Sequence, residues 1–194
     1  AGNWQDPLSF HQQEPEPTPD AAEGVSYQYR IAELYEKHLG DGDRAVELYR
    51  DILNVMPDHQ PTLTALEGLK NGQQNPLAAA AVLEPVYEAI GEWQRLISVL
   101  EVQVRYGDDP FTKVELLHRI AALYEQRLSD YPRAFDTYAR AVSADSQNED
   151  SLGALERLAS FIDRWPAVAE LYDNELARIG DDQPERFVEL GLRV

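Results

Sequence analysis

Apolar residues recur three and four positions apart along most of the chain, from about Ala21 onward. Ile31, Leu34, Tyr35 and Leu39 form one such stripe, and Leu116, Ile120, Leu123, Tyr124 and Leu128 form another. This spacing collects apolar side chains on one face of a helix turning every 3.6 residues. Turn-forming residues interrupt the stripes at Gly40-Asp41-Gly42-Asp43, Pro57-Asp58, Asn71-Gly72 through Pro76, Gly91 and Gly107 to Pro110. Further breaks fall at Ser129 to Pro132, Gln147-Asn148, Asp163 and Gly180 to Pro184. The intervals predict about ten helices of roughly 11 to 19 residues. No alternating run of β-branched residues competes with them, so the chain is expected to be all-α.

Residues 1–24 break the pattern. Pro7, Pro15, Pro17 and Pro19 cannot share a continuous helix, and Glu14-Pro15-Glu16-Pro17-Thr18-Pro19-Asp20 predicts an extended, polyproline-like strip. The segment holds five acidic residues and no Lys or Arg. Trp4, Leu8 and Phe10 are large apolar groups in a stretch with no core of its own. They are expected to act as a docking arm on an apolar surface, with a neighbouring chain favoured over the arm's own helices. Residues 25–194 are expected to form the helical domain.

Sliding the chain along itself reveals a duplication. At an offset of 89, Tyr29-Arg30-Ile31-Ala32-Glu33-Leu34-Tyr35-Glu36 falls on His118-Arg119-Ile120-Ala121-Ala122-Leu123-Tyr124-Glu125. Arg44-Ala45 falls on Arg133-Ala134, Tyr49 on Tyr138, and Leu63, Ala65, Leu66, Glu67 and Leu69 on Leu152, Ala154, Leu155, Glu156 and Leu158. Over residues 30–69, 16 of 40 positions are identical, which is an internal repeat. A second register, at offset 72, aligns Leu83-Glu84 with Leu155-Glu156, Ile90 with Ile162 and Trp93 with Trp165. The closing residues Val188-Glu189-Leu190 echo Val114-Glu115-Leu116. A unit starting as the sequence stops predicts a fragment of a longer array.

Each duplicated block resembles the tetratricopeptide repeat, a pair of antiparallel helices in about 34 residues with small residues where the helices touch. Ile31, Ala32, Tyr35, Ala45, Tyr49, Ile52 and Pro57 carry the resemblance in one copy. In the other it rests on Ile120, Ala121, Tyr124, Ala134, Tyr138 and Ala141, with Ser146 in place of the proline. Both copies have one extra residue in the turn between the helices. The pairs at about 76–106 and 148–179 are more degenerate, with Leu96 and Val168 at the small-residue position, and residues 59–71 predict an additional helix. The resemblance implies a right-handed α-solenoid whose first helices line a binding groove. By position, the lining residues would be Tyr29, Glu33, Glu36 and Lys37 in one copy, and Glu115, His118, Ala122, Glu125 and Gln126 in the other. This set lacks the paired cations that hold a terminal carboxylate in chaperone-binding relatives, so a basic or apolar protein segment suits it better.

Composition narrows the chemistry. The net charge of −18, from 35 acidic and 17 basic residues, disfavours nucleic acid and anionic lipid. No apolar run exceeds Leu77 to Leu83, far below the ~18 residues of a membrane span. There is no cysteine, so thiolate metal sites and cysteine nucleophiles are excluded. No two of His11, His38, His59 and His118 lie three or four apart, so no helical metal pair is expected. Asp41-Gly42-Asp43 begins like a calcium loop, but Ile52 stands where a bidentate Glu is needed. In the stretch Asp145 to Glu156, Asp150 replaces the glycine. Helix capping by Asp43 and by Asn148 or Asp150 is the simpler role. No cofactor, metal or catalytic residue is expected. The sequence predicts a protein-interaction scaffold, the alternative being the non-catalytic helical portion of a larger enzyme, as in cell-wall-cleaving enzymes.

Overall fold

The computed structural model describes residues 19–179. Trp4, Leu8 and Phe10, and the unit expected to start near Val188, lie outside the described residues. Every regular element among the described residues is helical: α1 Pro19–Leu34, α2 Gly42–Val55, α3 Gln60–Asn71, α4 Pro76–Ile90, α5 Trp93–Tyr106, α6 Pro110–Gln126, α7 Tyr131–Ala144, α8 Glu149–Ile162 and α9 Trp165–Ile179. Helix α1 continues as a π-helical turn, Tyr35–Leu39. Two compact units divide at Ala65 and Leu66, within α3.

Helix α1 opens at Pro19, inside the segment 1–24 expected to be extended. A proline is tolerated in the first helical turn, where its missing N–H has no partner to lose, so Pro19 starts a helix that it could not have continued.

In the first unit α1 packs on α2. Ala32 and Ala45 are fully buried, as are Tyr49 and Ile52, the small pair allowing close approach and the larger side chains filling the flanks. In the second unit each helix from α4 to α9 packs on its neighbour in sequence, and α7 also touches α9, the second helix of the following pair. This is helical-repeat packing. Ala121, Ala134, Leu155 and Tyr172 are fully buried in one cluster spanning α6 to α9. Leu96 and Val168 are buried at the positions where the degenerate pairs depart from the small residue.

The turns repeat as closely as the sequence. The extra residue noted in both copies is absorbed where the first helix unwinds: Asp41 N–H donates to the Tyr35 carbonyl at 3.0 Å, and Asp130 N–H to the Tyr124 carbonyl at 2.8 Å. The Asp41 carboxylate then accepts from Arg44 N–H at 3.0 Å, and Asp130 from Arg133 N–H at 3.1 Å. Asp41, not Asp43, is therefore the cap of α2. Asp43 sits two residues past the cap position, inside the first turn. Asn148 caps α8 as expected, accepting from Ser151 N–H at 2.8 Å.

A buried polar tie joins α3, α4 and α5 in the second unit. Lys70 is 3% exposed; its ammonium meets Glu67 at 2.7 Å and donates to the Ser98 hydroxyl at 2.8 Å, while Tyr87 donates to Glu67 at 2.6 Å. Buried charge is tolerated here because each group has a partner.

Candidate interaction faces

The residues singled out on the first helices fall into two separate sets. In the first unit, Tyr29 is half-buried, with its ring 5.9 Å from Tyr49 and edge-on to His59 at 5.6 Å. His59 in turn shares a 2.8 Å hydrogen bond with Thr62. Burial, and then the Glu33 carboxylate, push the Tyr29 hydroxyl above its usual pKa. Glu33 pairs with Lys37 one turn on, at 2.6 Å, and that bond holds its carboxyl below the usual range. Glu36 accepts from the Tyr49 hydroxyl at 2.6 Å. All four residues thus lie along α1 and its continuation; Tyr29 and Glu36 engage Tyr49 of α2, whereas Glu33 and Lys37 pair with each other.

In the second unit, Glu115 is exposed on α6, whereas His118 turns into the packing. The His118 ring meets Tyr138 edge-on at 5.4 Å, and its Nε2 lies 2.6 Å from the Ser151 hydroxyl. Burial lowers the His118 pKa, with Asp150 opposing. Glu125 is held by both terminal nitrogens of Arg157 from α8, at 2.8 Å each. A histidine beside a serine invites a nucleophile–base reading. The geometry argues against it: Ser151 is fully buried, and its hydroxyl already donates to Asn148 at 2.9 Å. The remaining hydroxyl lone pairs can only accept, so His118 Nε2 donates and has no free lone pair with which to activate Ser151.

Sequence reasoning missed a cavity of about 440 Å³ between α4, the end of α5 and the start of α6. Leu77, Ala81 and Leu116 supply its apolar wall, and Glu84, Asp108 and Asp109 set three carboxylates against one cation, Lys113. Leu77 and Ala81 stand one helical turn apart on α4, a spacing the sequence does show. Nothing local, however, distinguishes a stripe facing a cavity from one facing a core. Arg119 of α6 ties the same face together through Glu84 and through Glu88 at 3.0 Å.

Among the described residues no cluster of three or more His, Asp and Glu side chains is arranged to hold a metal ion, and no helix is long and apolar enough to cross a membrane. Helices packed in sequence around duplicated small-residue contacts define a helical-repeat protein. Residues 26–59, covering most of α1 and all of α2, match the family model described as tetratricopeptide repeat, and this supports a repeat of that family over the matched segment. Repeats of this family generally mediate protein–protein interaction and are typically non-catalytic. No curated protein matches the chain.

Proposed function

We propose that this chain is a non-catalytic interaction scaffold whose first helices dock segments of other proteins. The observation that carries this reading is the cavity between α4 and α6. It is large enough for one or two side chains, apolar along Leu77, Ala81 and Leu116, and predominantly acidic at its rim. Such a site suits a segment presenting an apolar residue beside Lys or Arg, because the apolar group is desolvated while the cation stays near the rim carboxylates. Glu115 extends the acidic surface along α6. In the first unit, the Tyr29, Glu33, Glu36 and Lys37 face offers a second, aromatic and acidic contact. His118 and Glu125 serve by fixing α6 against α7 and α8 and so shaping the surface beside them.

Selection from a random peptide library on the intact chain tests this. Basic–apolar sequences are expected to be enriched, and Leu77→Asp and Asp108→Lys should each weaken the selected peptides about tenfold or more, roughly 1.4 kcal/mol. Selection of no binders, or of binders that ignore both substitutions, would sink the proposal.

A further inference from the structure

A second cavity, of about 660 Å³, opens among α5, α6, α7 and α9, and its charge is opposite to that of the chain. Arg105, Lys113 and Arg140 line it against a single carboxylate, Glu101, in a protein whose net charge is −18. Arg140 engages Glu101 completely, its two terminal nitrogens donating at 2.6 and 2.7 Å to the two carboxylate oxygens. Arg105 and Lys113 are exposed and make no ion pair among the described residues.

With carboxylates twice as numerous as cations, most arginines of these helices have found one: Arg119, Arg133, Arg140, Arg157, Arg164 and Arg178 all do. Two unpaired cations at the mouth of one cavity therefore form a local positive field that an anionic partner would neutralise. Val104 and Leu117 are buried at its wall, and Leu171 is half-buried beside them. The chemistry asked of an occupant is thus carboxylates together with a large apolar side chain.

We propose that this cationic cavity receives the segment preceding α1 of a second copy of the chain. That segment carries Asp6, Glu14 and Glu16, no Lys or Arg, and the apolar residues Trp4, Leu8 and Phe10. Its charge is opposite to that of the cavity and its apolar residues suit the cavity's apolar wall. Pro15 and Pro17 favour a stiff, extended strip ahead of α1, which suits reaching another molecule better than folding back. In this arrangement Phe10 or Leu8 covers Val104 and Leu117 while Glu14 and Glu16 meet Arg105 and Lys113. The contact is separate from the peptide-docking role proposed for the α4–α6 face. Lys113 lines both cavities, so Arg105→Glu alone, which alters only the cationic one, distinguishes failure of one proposal from failure of the other.

Sedimentation of the full chain over a range of concentrations is the test. We expect concentration-dependent self-association that weakens at high salt. It should also weaken about tenfold or more, roughly 1.4 kcal/mol, in Arg105→Glu/Lys113→Glu and equally in Leu8→Ser/Phe10→Ser. Arg105 and Lys113 are exposed, so thermal melts of their variants should match the parent. The milder Arg105→Gln/Lys113→Gln, expected to weaken association in the same direction, serves if charge reversal disturbs the fold. Mixing the cavity variant with the segment variant in equal amounts should recover part of the association, because each supplies the half that the other lacks. A chain monomeric at all concentrations, self-association indifferent to either set, or a mixture with no recovery would overturn the proposal.

Discussion

The Tyr49 hydroxyl donates to the Glu36 carboxylate at 2.6 Å, tying α2 to the π-helical end of α1. Burial, reinforced by that bond, drives the Tyr49 pKa far upward, so the hydroxyl stays a donor at every ordinary pH. At the duplicated position Tyr138 faces a different situation: Glu125, the counterpart of Glu36, is taken by Arg157. Tyr49→Phe should therefore cost about 1.5–3 kcal/mol, the range for a hydrogen bond to a charged group, and Tyr138→Phe less than half of that. Urea denaturation of the two variants checks this, and equal losses would contradict it.

Ala134 is fully buried within the α6–α9 cluster, where a methyl group sets the distance of closest approach. Ala134→Leu should overpack the contact and cost about 1–3 kcal/mol, with Ala45→Leu similar in the first unit. Ala22 is exposed on α1, and Ala22→Leu should change stability by less than about 0.5 kcal/mol. Thermal denaturation that failed to separate the buried from the exposed substitution would show that the small-residue register is misassigned.

The left-handed turns recur at the same offsets as the sequence. Gly40 has φ 66° and its counterpart Ser129 has φ 53°; Gly91 has φ 73° and its counterpart Asp163 has φ 58°. An L-residue in this region costs roughly 1–2 kcal/mol, partly offset when glycine replaces it by the entropy glycine loses on folding. Ser129→Gly should thus raise stability by about 0.5 kcal/mol. Gly91→Ala should lower it by about 1 kcal/mol, although the space beside the Trp93 ring, 3.5 Å from an added Cβ, admits a methyl group. Calorimetry on both variants would reveal a reversed order, if there is one.

Acid should destabilise both units before the carboxylates titrate. The pKa values of His59 and His118 lie below the ordinary 6.5, chiefly through burial, each opposed by one nearby aspartate. The unfolded chain then binds more protons than the folded one as pH drops below about 6.5, so stability is complete above that pH and declines beneath it. The decline ends once pH passes below the folded-state values. His118→Gln should flatten part of this slope in melting temperatures recorded from pH 7.5 to pH 5. A slope unchanged by that substitution would place the acid sensitivity elsewhere.

Helix positions, the duplication and the small-residue contacts were legible along the chain because each depends on neighbours within a few turns. Three-and-four spacing marks a buried stripe, and an aspartate three residues ahead of Arg44 or Arg133 caps a helix wherever that helix goes. Capping by Asp41 instead of Asp43, and the helical start at Pro19, were shifts of a few residues caused by competition between adjacent turn signals. The identity of each charge's partner could not be read in this way. Arg157 reaches Glu125 across 32 residues, and Arg140 reaches Glu101 across 39. Those choices leave Arg105 and Lys113 unpaired, turn His118 inward to Ser151 and open the two cavities. They follow from the distance and angle between packed helices, which side-chain volumes set collectively, and which no local stretch of sequence contains.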